Sequence, residues 1–141
     1  VANGDITSPQ TAAAVLRHTS ADALMVGRAA QGRPWIFREI AHFLATGEHL
    51  DPPLVAEVRR ALLEHLQDHY GLYGEYTGVR SARKHIGWYV RDLRGGEQFR
   101  QKMNLLESCE AQLAAVNNFF ELQLTHGERL QYEVPQGLPA L

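Results

Sequence analysis

The run Ala23-Leu24-Met25-Val26 constrains this chain more than any other feature. Its four apolar residues are continuous rather than alternating, the pattern of a strand buried on both faces. Gly27 ends it. At the start of the chain, Val1 and Ala2 lead into Asn3-Gly4-Asp5, a strand end that runs straight into a turn. Between the two lies a helix signal: Ser8 as N-cap, Pro9 at the first helical position, then an apolar face of Ala12, Val15 and Leu16. Strand, helix and strand within some thirty residues make a βαβ unit with parallel strands. Two strands alone leave both edges open and apolar, so the unit predicts sheet neighbours that these residues do not supply. The expectation is the downstream part of a larger protein. For the chain by itself, open edges predict a homo-oligomer or a strand-exchanged dimer.

After Pro34 the pattern turns helical. "PWIFREIAHFLATG" opens on Pro34 and stops at Gly47, with Trp35, Ile36, Ile40, Phe43 and Leu44 on one side. "GEHLDPPL" reads as a linker and places a domain boundary near residue 48. Helices are predicted from about Leu54 to Tyr73 and from about Thr77 to Leu93. A short one starts at Glu97, and a last one runs from about Ser108 to Leu124. Short connections between amphipathic helices imply an antiparallel bundle. The fold class expected is mainly α with a small α/β part at residues 1–48, a helical domain at 49–125 and a loose tail at 126–141.

Among 141 residues there is one cysteine, Cys109, which cannot form an internal disulfide and fits a reducing compartment. No window approaches the ~20 consecutive apolar residues of a membrane span, and no signal peptide is visible, so a cytoplasmic location is expected. His65 and His69 stand at i, i+4 in "HLQDH", a spacing that can bind zinc. No third ligand is obvious, and both border the apolar stripe of Val58, Leu62, Leu66 and Tyr73. They read as partly buried helix histidines, with no metal site expected. Cys109 follows Ser108 at a helix start without a basic or histidine neighbour, and reads as a small buried residue.

Two stretches carry chemistry. Parallel strands present ligands at their carboxyl ends, and these strands end in "NGD" and "GRA". Gly4 and Gly27 let backbone N–H groups approach a ligand. Arg28, followed by a helical turn, adds a guanidinium fork for a phosphate. In a (β/α)8 barrel such a site is often built by the loops after strands 7 and 8. The same residues also make ordinary turns, and spacing alone does not separate the two. The second stretch is basic. Seven of the fourteen cations (Arg80, Arg83, Lys84, Arg91, Arg94, Arg100 and Lys102) lie between positions 80 and 102, against Asp92 and Glu97 only. On a helix, Val79, Ala82, Ile86, Tyr89, Val90 and Leu93 share one stripe. Arg80, Arg83, Lys84, Arg91 and Arg94 fall on the neighbouring stripe, with Trp88 past its edge. Cations in a row beside an aromatic suit an RNA backbone and a stacked base; a solvated bundle face is the other reading.

"VANGDI", "ADALMVGRAAQGRPWIF" and "ARKHIGWYV" together resemble the carboxyl-terminal part of the bacterial tRNA-dihydrouridine synthases, B type, from Val1 to about Glu121. The resemblance implies an FMN-binding (β/α)8 barrel followed by a helical tRNA-binding domain, and reduction of the C5=C6 bond of tRNA uridines with NADPH as reductant of the flavin. It implies that Asn3, Gly4, Asp5, Gly27 and Arg28 contact the FMN phosphate, that the first two strands are the last of the barrel, and that Arg80, Arg83, Lys84 and Arg91 face tRNA. The family's catalytic cysteine lies upstream. Cys109 does not match it, so this chain holds no catalytic residue and is expected to be inactive alone. A stand-alone helical RNA-binding module with a barrel remnant is the alternative, and a different FMN barrel is a further rival.

Overall fold

In the computed structural model the described residues are 6–19, 26 and 30–133, and helix is nearly their only regular structure. The two expected strands lie outside the described residues apart from Val26. The chain divides into two compact units, Val1–Asp51 and Pro52–Leu141.

The first unit holds α1 (Pro9–Thr19) and α2 (Ile36–Thr46). Entry into α1 is fixed by a reciprocal cap. Ser8 Oγ accepts from the Thr11 N–H at 3.1 Å, and Thr11 Oγ1 accepts from the Ser8 N–H at 2.9 Å. A threonine thus takes the place of the usual Glu or Gln in a capping box. Ile6, Ala12, Ile36 and Ile40 form the buried core, with Val15, Val26 and Ala30 packed against it. Arg33 grips Glu39 with two parallel bonds of 2.9 and 2.8 Å, which ties the "GRP" turn to α2. Leu44, expected on the apolar side, is 44% exposed.

The second unit is built on α3 (Val55–Val90). It is broken at Gly74, whose φ of 77° and ψ of 176° are not helical. A side chain there would be strained, and glycine adopts the conformation without steric cost. The two arms fold back on each other: Gly78 lies against Tyr70, and Ser81 meets His69. The first arm buries Val55, Val58, Leu62 and Leu66; the second buries Val79, Ala82, Ile86, Tyr89 and Val90. Both spacings are those of one helical face.

A sharp turn follows, in which Gly96 has no room for a Cβ: one built there would lie 2.1 Å from the Val90 carbonyl oxygen. Next come α4 (Gly96–Lys102), a single 3-10 turn (Met103–Leu105) and α5 (Cys109–Leu124). Ser108 caps α5 by accepting from the Ala111 N–H. Phe99 of α4 stacks on Phe119 of α5 at 4.4 Å. Gln112 of α5 is fully buried, yet both ends of its amide are satisfied: it donates to Val79 O at 3.1 Å and accepts from the Tyr70 hydroxyl.

The expected loose tail is corrected as far as Glu133. Leu130 is 1% exposed, and its N–H donates to Pro53 O at 3.0 Å. Isolated bridges join Leu54 to Arg129 and Leu93 to Tyr132. The segment ties the start of α3 to its end, because burying one leucine and pairing the exposed backbone of both ends offsets the cost of ordering it.

Candidate nucleic-acid interface

The second arm of α3, the Asp92–Gly95 turn and α4 enclose an open groove of about 950 Å³. Its wall carries Arg80, Arg83, Lys84, Trp88, Arg91 and Arg100, with Gln98 and Asn104 as neutral hydrogen-bonding groups. These side chains share the groove because Val79, Ala82, Ile86 and Val90 bury the opposite face of the same helix. Of the seven cations of the basic stretch, Arg94 and Lys102 line a second, apolar hollow instead. Arg94 lies there beside Phe99, Phe119 and Leu122, with Nη1 3.2 Å from His126 Nδ1.

The cations are not equivalent. Arg100 is held by Glu97 through bonds of 3.0 and 2.6 Å, and that guanidinium keeps the Glu97 carboxyl below its ordinary range. Arg80 lies 3.7 Å over the Tyr76 ring and donates to Tyr76 O, with Glu107 at 4.0 Å. Arg83 donates to Leu106 O at 3.0 Å, while its buried Nε–H has no acceptor. Lys84 and Arg91 make no hydrogen bond or ion pair among the described residues and are exposed. Asp92 and Glu133 also line the groove.

Asn3, Gly4, Asp5, Gly27 and Arg28 lie outside the described residues. Their flanks do not: Ile6 follows Asp5, Val26 precedes Gly27, and both belong to the same apolar cluster.

Sequence reasoning missed one assembly. A third histidine does exist: His85 comes from the other arm of α3, and ligand nitrogens of His65, His69 and His85 lie within 4.8 Å of one another. The i, i+4 pair was visible, but the partner sits sixteen residues beyond His69 and depends on the fold-back at Gly74.

Cys109 begins α5, where a thiol is normally acidified. Here burial pushes the thiol up, and the nearby Glu75 carboxylate adds to this. No described helix is long and apolar enough to cross a membrane.

Residues 1–124 match the protein family described as dihydrouridine synthase (Dus). The chain is 54% identical over 139 residues to tRNA-dihydrouridine synthase B of Pseudomonas putida, which covers 99% of the chain and 40% of that relative. It is 59% identical over 121 residues to the Xanthomonas axonopodis protein of the same name, covering 86% of the chain and 36% of the relative. The Pseudomonas aeruginosa protein of that name is 53% identical over 126 residues, with 89% and 38% covered. The chain therefore spans about two-fifths of the length of these curated relatives.

Proposed function

Because the chain belongs to the dihydrouridine synthase family, we propose that it is the carboxyl-terminal part of a flavin-dependent tRNA-dihydrouridine synthase in the cytoplasm, and that it holds tRNA and one side of the flavin phosphate. In this reading residues 1–48 close an FMN-binding (β/α)8 barrel and residues 49–125 face tRNA. FMN, when bound and reduced by NADPH, would supply the hydride for the uracil C5=C6 bond. The residues here would do the holding: the backbone of Asn3-Gly4-Asp5 and Gly27, and the guanidinium of Arg28, toward the phosphate. That Ile6 and Val26, the described neighbours of Asp5 and Gly27, join one cluster supports a common site for Asn3-Gly4-Asp5 and Gly27-Arg28.

The observation that carries the tRNA part is the groove, in which two exposed cations, Lys84 and Arg91, have no hydrogen-bond or ion-pair partner among the described residues. Trp88 offers a face for a base. Cys109, in the second unit, does not match the family's catalytic cysteine and is given no part in the reaction here. Alone, the chain is expected to be inactive, and the two strands that the sequence predicts would, without sheet neighbours, favour a homo-oligomer or strand exchange.

Flavin content tests the reading. In the full-length protein, Arg28→Ala should purify with less FMN per protein, read from flavin absorbance. Unchanged flavin would remove Arg28 from the site. The rival, a helical RNA-binding module, keeps the groove but requires no flavin at all.

A further inference from the structure

We propose that His65, His69 and His85 form a transition-metal site that clips the two arms of α3 together, with zinc as the best-suited ion. The reading above gives these histidines no part. Three imidazoles from two antiparallel arms converge, with ligand nitrogens within 4.8 Å of one another. The ring centroids are 4.9 Å apart for His65 and His85, 5.4 Å for His69 and His85, and 6.2 Å for His65 and His69. With Zn–N bonds of about 2.0–2.1 Å, tetrahedral ligand nitrogens stand about 3.4 Å apart. Closure therefore asks each ligand nitrogen to move by about 1 Å.

The surroundings favour the ligating state. Ser81 Oγ lies 2.8 Å from Thr77 O, to which it donates its single hydrogen. It therefore accepts from His69 Nε2–H at 2.6 Å and leaves the lone pair on Nδ1. An outer hydrogen bond of this kind sets the tautomer and orientation of metal-binding imidazoles. His69 and His85 are both held below the ordinary value of 6.5, chiefly by desolvation and then by neighbouring histidine and Lys84 charges. At neutral pH they are in the uncharged form that a metal needs. Imidazole sets suit zinc, copper, iron and nickel. Three protein ligands leave a fourth position for water. Lys84 is the cation felt at the cluster, and as an exposed side chain it can turn outward.

The test uses the full-length protein stripped with a chelator and titrated with Co²⁺ alone, followed by visible absorption. One equivalent should bind with the intense bands of four-coordinate cobalt, Zn²⁺ should displace it, and the melting temperature should rise. Losing an outer partner alone weakens metal sites by about 10–100-fold, so His85→Gln and His69→Gln should each weaken binding at least about tenfold. His42→Gln, in the other unit, should leave it unchanged. Circular dichroism checks the fold of each variant. Should the variants fail to fold, wild-type protein is treated with an imidazole-acylating reagent with and without Zn²⁺, and mass spectrometry should find His65, His69 and His85 protected by the metal. Absence of saturable binding, binding indifferent to His69 and His85, or no protection would each overturn the site.

Discussion

Replacing Lys84 and Arg91 together by glutamine in the full-length protein isolates the groove's electrostatic contribution to tRNA binding. Both side chains are exposed and unpaired among the described residues, so their removal leaves no buried group stranded and should not move the melting temperature. Each cation that neutralises a phosphate adds about 0.7–0.9 to the slope of log affinity against log salt. Raising salt fourfold, from about 50 to 200 mM, then removes about 2.6- to 3.5-fold of affinity per contact. Two contacts make about seven- to twelvefold. Wild-type protein should therefore lose that much more affinity over this range than the double variant, measured by filter binding or fluorescence anisotropy with unmodified tRNA. Arg100→Gln is the internal control. Its charge is already met by the Glu97 carboxylate, so it should change the slope by well under one unit. Parallel salt dependences for wild type and double variant would refute the reasoning. So would an Arg100 effect as large as that of Lys84 and Arg91.

Three further outcomes test how the helical unit holds this groove. Gly96→Ala should destabilise by about 3 kcal/mol, because its Cβ meets the Val90 carbonyl at 2.1 Å and backbone must shift; a fall of more than about 10 °C in melting temperature is expected, and an unchanged one would show that the turn relaxes freely. Gln112→Leu removes the partner of both Val79 O and the Tyr70 hydroxyl, so about 2–4 kcal/mol should be lost in urea unfolding, whereas Tyr70→Phe, which strands only the amide oxygen, should cost less. Cys109, with its thiol pushed up by burial and then by Glu75, should alkylate slowly at pH 8; Glu75→Gln should speed it, since removing the carboxylate lowers the thiol toward its ordinary value and raises the thiolate fraction.

Local chemistry was legible and tertiary register was not. Val79, Ala82, Ile86, Tyr89, Val90 and Leu93 fall on one stripe in sequence and are all buried, because an amphipathic period of 3.6 determines which side faces the core. The same period placed Arg80, Arg83, Lys84 and Arg91 on one wall, but it carried no sign that Arg94 leaves that wall once Gly95 and Gly96 turn the chain. The tail was misread for a related reason. "THGERLQYE" has no period, and its order depends on backbone partners distant in sequence: Leu130 N–H donates to Pro53 O and Glu133 N–H to Asp92 O.

The histidine cluster shows where the limit lies. "HYGLYGEYTG" contains Gly71, Gly74 and Gly78, and an isolated glycine inside a helical pattern is tolerated. The helix ends expected near Tyr73 and Thr77 bracket the middle one. The helix does break at Gly74, and that position sets His65 beside His85 and His69 beside Ser81. A break at Gly71 would bring His65 opposite the neighbourhood of Val79, and one at Gly78 would bring it opposite the neighbourhood of Leu93. In neither case would three imidazoles meet. The choice is made by packing: Gly78 has Tyr70 side-chain and backbone atoms at 3.2 and 3.4 Å from where a Cβ would stand, so it serves as the close contact between arms and stays helical. Register, and with it the cluster, is thus set by which glycine must be small and which must be strained: the helix ends locate the break, and the contact of Gly78 with Tyr70 fixes how the arms meet.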